Sequence, residues 1–312
     1  MTEKILILGG SGYIGSRLAN LLSKSYNVTI LDLINNQWLN NTDIKVIDGD
    51  ITQEAVIDKI TETFYDVVIN LISLDHHKSK IYSPAVVNKI NVLPTWNLLF
   101  SFAKKSTLKR YINFSTIHVY EASPDGALVE EDSELNPSSV YGLTHIMSEN
   151  ITSYFNSTSN ICAVNLRLSN SYGEPYFKNE GCWGLIINNL CLNAFKYQKI
   201  EIKTSLKNSR NFIHYLDIFE AVKLMIDSKR IKYNCYNLCG DKSVGFEEVV
   251  KIIEEQYHSI FKKKLAISVS NKPIKVQNAE YSNQRLKELK FRMETTIEHG
   301  INQVFQHLKN EY

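Results

Sequence analysis

The sequence predicts an α/β protein with a doubly wound parallel sheet and a smaller, interleaved C-terminal lobe. Three observations predict it. Short apolar runs alternate with helical patterns through the first half of the chain. The first of these runs leads straight into a glycine-spaced turn and a helix. The polar motifs that follow fall at the C-terminal ends of the runs, where open α/β sheets hold their ligands. Apolar strands joined by helical crossovers give parallel sheets covered on both faces.

The elements follow in order. Ile5–Leu8 reads as a buried strand, and Gly9-Gly10-Ser11-Gly12-Tyr13-Ile14-Gly15 as the turn that feeds a helix over Ser16–Ser25. Gly9, Gly12 and Gly15 leave room for backbone N–H groups to approach a pyrophosphate at the helix start, where the helix dipole favours negative charge. A second strand, Val28–Leu31, ends on Asp32, whose carboxylate would accept hydrogen bonds from adenosine ribose hydroxyls and repel a 2′-phosphate. This is the pattern of a Rossmann-type dinucleotide site. Asp32 favours NAD, with NADP as the alternative; the bland reading is a plain glycine-rich turn.

Further strands are read at Lys45–Ile47, Val67–Leu71, Arg110–Phe114 and Cys162–Leu166, with helices at Gln53–Phe64, Pro84–Lys104 and Tyr141–Phe155. After Leu168 the pattern loosens. Gly173-Glu174-Pro175 marks a loop, Trp183–Phe195 a helix and Lys199–Lys203 a short strand. Phe212–Leu216 and Tyr233–Leu238 read as strands that return to the main sheet or lie beside it. Phe246–Phe261 and Thr295–Leu308 read as amphipathic helices. The expected division is a dinucleotide-binding domain over 1–168, with returning segments near 212–239, and a substrate lobe from 169–211 and 240–312.

Composition narrows the partners. With 312 residues, 44% hydrophobic and a formal charge of +2, the chain offers no strong field for nucleic acid or a membrane surface. Lys262-Lys263-Lys264 is too short and isolated for a nucleic-acid patch. No apolar run reaches the ~18 residues of a membrane span, and Thr2-Glu3-Lys4 leads straight into a strand, so no leader is expected. The five cysteines, Cys162, Cys182, Cys191, Cys235 and Cys239, form no Cys-x-x-Cys pair. They read as reduced thiols of a cytoplasmic protein, and no zinc-ligand spacing is present.

Three segments carry the chemistry. Phe114-Ser115-Thr116-Ile117-His118-Val119-Tyr120 ends the fifth strand. Tyr141-Gly142-Leu143-Thr144-His145 opens a helix after Asn136-Pro137-Ser138-Ser139, and Arg167 to Pro175 ends the sixth strand. With these the chain resembles the extended short-chain dehydrogenase/reductase family, in its nucleotide-sugar epimerase, dehydratase and ketoreductase branch, over nearly its whole length. Asp50-Ile51 stands where that family contacts adenine. Asn91-Val92-Leu93-Pro94-Thr95 is similar to its Asn-Val-x-Gly-Thr helix, with Pro94 at the glycine. Arg210-Asn211-Phe212-Ile213-His214-Tyr215-Leu216-Asp217 is similar to its Arg-Asp-Phe-x-His-Val-x-Asp run.

The resemblance implies a cofactor site formed by Gly9, Gly12, Tyr13, Ile14, Gly15, Asp32, Asp50, Ile51, Leu71 and Asn91. It places Asn170 and Arg210 near the diphosphate of a nucleotide sugar, where the planar guanidinium suits phosphate. It also implies a homodimer through the helices at Pro84–Lys104 and Tyr141–Phe155. In this reading Tyr141 exchanges the proton of the sugar 4-hydroxyl as hydride moves, and Thr116, preferred to Ser115, hydrogen-bonds the same oxygen. Plainer roles stand beside these: a turn-capping Thr116, a surface Tyr141, a salt-bridged Arg210, a loop-capping Asn170. His76, His77 and Lys78, at the rim of the site, read as a solvated loop, with contact to sugar hydroxyls or phosphate as the alternative, and Asp217 reads as a structural helix cap.

The pattern breaks at one position. Where the family has Tyr-x-x-x-Lys, the residue four after Tyr141 is His145, on the same helix face. The missing lysine would hold nicotinamide ribose and lower the tyrosine pKa; neutral imidazole supplies little of that, and free His charges only near ~6.5. His145 is then a weaker substitute, or the reaction is less demanding, or the protein binds without turnover. Ile117 and His118 stand where dehydratases of the family carry an Asp-Glu pair. Isoleucine cannot transfer a proton, so 4,6-dehydration is not expected, whereas His118 is a candidate general acid or base, or a residue that packs at the strand end. The expected activity is NAD(P)-dependent redox chemistry at C4 of a nucleotide-activated sugar, by an epimerase, 4-ketoreductase or 4-dehydrogenase. The alternative is a catalytically impaired relative that binds dinucleotide as a sensor or partner subunit.

Overall fold

The structure, a computed structural model, describes residues 2–33, 43–120, 126–177, 181–269 and 278–311. In chain order the strands are β1 (Lys4–Leu8), β2 (Asn27–Asp32), β3 (Lys45–Asp48), β4 (Tyr65–Asn70), β5 (Leu108–Thr116), β6 (Leu128–Val129), β7 (Cys162–Leu168), β8 (Asn170–Tyr172), β9 (Lys199–Ile202), β10 (Ser209–His214), β11 (Cys235–Leu238), β12 (Ser243–Gly245), β13 (Ala266–Val269) and β14 (Glu280–Tyr281). The helices are α1 (Tyr13–Leu22), α2 (Glu54–Thr61), α3 (Lys78–Ile81), α4 (Pro84–Asn91), α5 (Leu93–Lys105), α6 (Val140–Thr158), α7 (Ile186–Tyr197), α8 (Tyr215–Asp227), α9 (Phe246–Phe261), α10 (Gln284–Glu288) and α11 (Ile297–Glu311).

Seven strands form one sheet in the order β11-β7-β5-β4-β1-β2-β3. Strands β1 to β5 and β7 run parallel. The chain winds outward from β1 in both directions, which sets a topological switch point at the C-terminal ends of β1 and β4. The chain divides into two compact units: Met1–Ala122, Asp132–Leu168 and Val222–Tyr236 in one, Ser123–Glu131, Ser169–Ala221 and Asn237–Tyr312 in the other.

The core of the first unit gathers Leu6, Leu8, Leu31, Val68, Leu98, Phe102 and Tyr111; each such side chain stabilises the fold by about 1.5–3 kcal/mol on burial. Across its centre runs a polar row. Asn70, Asn113 and Asn165 stand opposite one another on β4, β5 and β7. Asn70 Nδ2 donates to Asn113 Oδ1 at 3.2 Å, and Asn113 Nδ2 to Asn165 Oδ1 at 2.9 Å. Asn165 Nδ2 donates to the Glu149 carbonyl at 3.3 Å. Buried amides need such partners. In the second unit α7, α9 and α11 pack around Ile187, Val249, Ile253, Val304 and Phe305.

Several expected elements are redrawn. The long helix predicted over Pro84–Lys104 is two helices, α4 and α5, that meet at Val92. Pro94 explains the break: with no N–H it cannot continue a helix, but it fits the first turn of a new one. Of the two segments read as strands beside the main sheet, Cys235–Leu238 is its edge strand. Phe212–His214 instead belongs to β10, in a separate sheet of order β12-β10-β8, and the chain turns helical at Tyr215. β9 pairs in parallel with β13, a strand the sequence pattern did not mark.

The first turn of α6 is tightly determined. The Ser139 hydroxyl caps it by accepting from the Gly142 N–H at 3.2 Å. A Cβ on Gly142 would lie 2.7 Å from the His118 carbonyl oxygen. Glycine at this position therefore lets the helix that carries Tyr141 lie against the segment that carries His118.

Candidate active site

The glycine turn is built as a cradle. Gly9 has φ +81°, a left-handed conformation that favours glycine. A Cβ on Gly15 would lie 2.2 Å from the Gly9 carbonyl oxygen, so no larger residue fits. α1 begins at Tyr13, followed by Ile14, with Gly12 as an N-cap that brings no side-chain hydrogen bond and with no acid in the first turn. The start of the helix thus presents N–H donors suited to an anion. Asp32 Oδ2 accepts from the Ser11 N–H at 2.9 Å and Oδ1 from the Leu33 N–H at 2.7 Å, which holds the carboxylate beside the turn. These residues fit a dinucleotide.

The other expected cofactor residues are placed less directly. The Leu71 N–H donates to the Leu8 carbonyl at 3.0 Å, at the switch point. Asp50 Oδ1 accepts from the Thr52 N–H at 2.8 Å, and Ile51 is buried. Asn91 spends its amide within the protein. Its Oδ1 accepts from the Leu74 N–H at 2.8 Å, and its Nδ2 donates to Thr144 Oγ1 at 3.0 Å. It ties the loop after β4 to α6, one residue from His145.

Thr116, not Ser115, faces Tyr141. Thr116 Oγ1 accepts from the His118 N–H at 3.2 Å, and its hydroxyl lies close enough to the Tyr141 phenol to favour the phenolate. The Ser115 hydroxyl donates instead to Glu149 Oε1 at 2.5 Å. Three imidazoles surround Tyr141. Its ring centroid lies 4.6 Å from that of His145, 5.8 Å from His76 and 5.9 Å from His118, each edge-on. His76 and His118 stack on one another at 5.4 Å. His76, which the sequence suggested was solvated, is half-buried in this cluster. Its position just past the C-terminal end of the fourth strand was the available signal.

His145 is buried and neutral. Burial, aided by nearby His118, pushes its pKa down to about 4. Its Nε2 lies 3.2 Å from Ser73 Oγ, whose own hydroxyl donates to the Leu74 carbonyl at 3.0 Å. Burial also pushes Tyr141 up to about 12; the nearby Thr116 hydroxyl opposes this and the Asp75 charge adds to it. The ground state is therefore a neutral phenol beside a neutral imidazole.

This has a measurable consequence. Unfolded His145 would take a proton near 6.5, the folded residue only near 4. Between these values the unfolded chain binds more protons, so stability rises with pH. The contribution is fully present above 6.5 and is lost as pH falls toward 4. A His145→Asn variant should lose about 3 kcal/mol less stability than the parent over that window, measured by urea unfolding at both limits. Equal losses would show that His145 titrates normally.

Asn170 and Arg210 lie in the second unit. Asn170, on β8, donates through Nδ2 to the Asn211 carbonyl at 2.8 Å and braces β8 to β10. Arg210, on β10, donates from Nη1 to the Ser209 carbonyl at 2.9 Å. Asp217 stands inside α8 rather than before it, and its Oδ1 accepts from the Glu294 and Thr295 N–H groups. Among the described residues, no group of three His, Cys, Asp or Glu is arranged to hold a metal ion, and no helix is long and apolar enough to cross a membrane.

The sequence model of the NAD-dependent epimerase/dehydratase family matches residues 5–239. The trifunctional UDP-glucose 4,6-dehydratase/UDP-4-keto-6-deoxy-D-glucose 3,5-epimerase/UDP-4-keto-L-rhamnose-reductase of Arabidopsis thaliana is 25% identical over 314 residues. That match covers 96% of this chain and 46% of the plant protein, so the chain spans about half its length. The fold is similar to that of UDP-N-acetylglucosamine 4-epimerase from Methanobrevibacter ruminantium M1 in complex with UDP-N-acetylmuramic acid, at TM-score 0.87 and 21% identity over 100% of this chain and 99% of the other. It is also similar to UDP-glucuronic acid 4-epimerase from Bacillus cereus in complex with NAD, at TM-score 0.84 and 20% identity over 99% and 97%.

Proposed function

The chain belongs to the NAD-dependent epimerase/dehydratase family, and from that premise we propose that it carries out redox chemistry at C4 of a nucleotide-activated sugar. The reaction is epimerisation, reduction of a 4-keto sugar or oxidation to one. The observation that carries this reading is the placing of the Thr116 hydroxyl, at the C-terminal end of β5, beside the Tyr141 phenol of α6, in the unit that also holds the glycine cradle after β1. NAD, when bound, supplies the hydride acceptor and a positive charge. Thr116 is oriented by the His118 N–H on its oxygen, which leaves its proton for the oxygen that Tyr141 also contacts. Tyr141 gives or takes the proton of the 4-hydroxyl as the C–H bond breaks or forms. Ile117 offers no proton, which supports redox chemistry at C4 over 4,6-dehydration.

A specific observation favours a second reading, that of a binding protein without turnover. With Tyr141 pushed up to about 12 and His145 down to about 4 by burial, moving a proton from the phenol to the imidazole is strongly uphill. His145 is no standing cation, and any help it gives must come after Tyr141 begins to ionise. The test is cofactor extraction, followed by UDP-glucose, UDP-N-acetylglucosamine, UDP-glucuronate and dTDP-glucose. Product with no net loss of NAD identifies an epimerase. Net use of the reduced or oxidised cofactor identifies a reductase or dehydrogenase. Bound NAD with no change in any sugar selects the binding protein. Within the catalytic reading, His145→Ala should lower turnover and His145→Lys restore or raise it; full activity in the alanine variant removes His145 from the mechanism.

We further propose that a second copy of this chain covers α5 and α6. Leu93, Trp96 and Phe100 on α5 and Leu143, Met147 and Tyr154 on α6 are exposed, at spacings that share a helix face. Trp96→Glu should halve the solution mass measured by light scattering; a single-chain mass for the parent would dismiss the dimer.

A further inference from the structure

The redox step leaves one polar neighbour of His145 unused: Ser73, half-buried in the segment that follows β4. We propose that Ser73 is a positioning residue, which anchors one nitrogen of the His145 imidazole and so keeps the other for a hydroxyl of the bound dinucleotide. The inference rests on the dinucleotide reading for the ligand, but not for the anchoring.

An imidazole at this position needs an anchor that a lysine would not. An ammonium carries equivalent donors on a flexible stem and serves in any rotation. A neutral imidazole has one N–H and one bare nitrogen, and its second side-chain torsion is broad and roughly two-fold. Ring flip and tautomer must therefore both be right for a given ligand. His145 is under this constraint, because burial pushes its pKa down to about 4 and leaves the ring uncharged at neutral pH. Ser73 Oγ lies 3.2 Å from its Nε2. Among the described residues Ser73 is the hydrogen-bonding partner of the ring, so Nδ1 is left for a ligand.

The anchor is itself held from both sides. The Ile72 N–H donates to Asn70 Oδ1 at 3.2 Å, and the Leu74 N–H to Asn91 Oδ1 at 2.8 Å. Asn70 belongs to the asparagine row, and Asn91 Nδ2 donates to Thr144 Oγ1 at 3.0 Å. The approach of Ser73 to α6 is thus set twice, once directly and once through Asn91. The Ser73 hydroxyl also lies 3.0 Å from the Leu74 carbonyl, which Ser79 Oγ reaches at 3.1 Å. Removing the Ser73 oxygen therefore leaves that carbonyl with a donor, and the loss falls on His145.

The test makes Ser73→Ala and His145→Ala singly and together, and measures NAD binding by titration calorimetry. Ser73→Ala should weaken NAD about tenfold in the parent. Where His145 is already alanine, the same change should cost about twofold or less, because the residue through which Ser73 acts is gone. Equal losses in the two backgrounds would mean that Ser73 touches the cofactor itself or merely supports the fold, and overturn the proposal, as does no loss in the parent. A second readout needs no cofactor. With isotope-labelled imidazole nitrogens, and His145→Ala to identify the signals, NMR of the parent at neutral pH should show a single tautomer of His145, and Ser73→Ala a mixture. Ring signals unchanged by Ser73→Ala overturn the anchoring. A parent that binds no NAD defeats the dinucleotide reading alone, and the ring signals then still decide the role of Ser73.

Discussion

Tyr141→Phe should lower turnover of the sugar nucleotide by about two to four orders of magnitude and leave cofactor content unchanged. The substitution removes one oxygen and keeps the ring, so the edge-on contacts with His145, His76 and His118 persist. It takes away a hydroxyl that burial already disfavours as an anion, so melting should change little. A steady-state rate and a cofactor assay on the same preparation decide the matter. Retained activity would mean that a group other than the phenol carries the proton. The contrast with His145→Ala is informative: if Tyr141 is the acid and base and His145 only assists, the phenylalanine variant is much the weaker enzyme.

Arg167→Met should cost about 3–5 kcal/mol of stability, the usual penalty for leaving a buried charge without its partner. Glu149, on α6, and Arg167, on β7, have side chains only 6% and 5% exposed. Arg167 Nη2 donates to Glu149 Oε2 at 2.7 Å and Nε to Oε1 at 2.9 Å. Ser115 also donates to this carboxylate, and Tyr120 pairs with the guanidinium, whose pKa rises further above its ordinary range through Glu149. Glu149→Leu should cost a similar amount. The double variant should recover much of the loss, because both charges leave together, but not all of it, because Ser115 and Tyr120 lose their partners. Urea unfolding of the parent, both singles and the double gives the coupling. Additive losses would show that the two residues act independently.

What was legible followed from local patterning. A four-residue apolar run, three spaced glycines and a helical stretch follow directly on one another, so the cradle after β1 could be read before any fold was known. The helix over Phe246–Phe261 has the bounds its periodicity predicts. What was illegible depended on residues brought together by sheet order. Ser73 is 72 positions from His145, and nothing in either neighbourhood marks the pair. His76 sits in a run of polar residues, His76-His77-Lys78, where solvation is the ordinary reading. Stacking on His118 overrides it only because β4 and β5 are neighbours. Glu149 and Arg167 each look like surface residues until α6 is laid over β7.

The row of asparagines through the sheet has a consequence for how the chain assembles. Shifting β4 or β5 by one position against its neighbour would turn an amide to the opposite face and leave its former partner dry. Such a mispaired intermediate carries the cost of an unsolvated amide, so the sheet rejects it as it forms. Asn70 is followed three residues later by Ser73, and Asn113 three residues later by Thr116. The amides therefore act as index marks: they fix where β4 and β5 stop, and with that the height at which a serine and a threonine leave the sheet to meet α6.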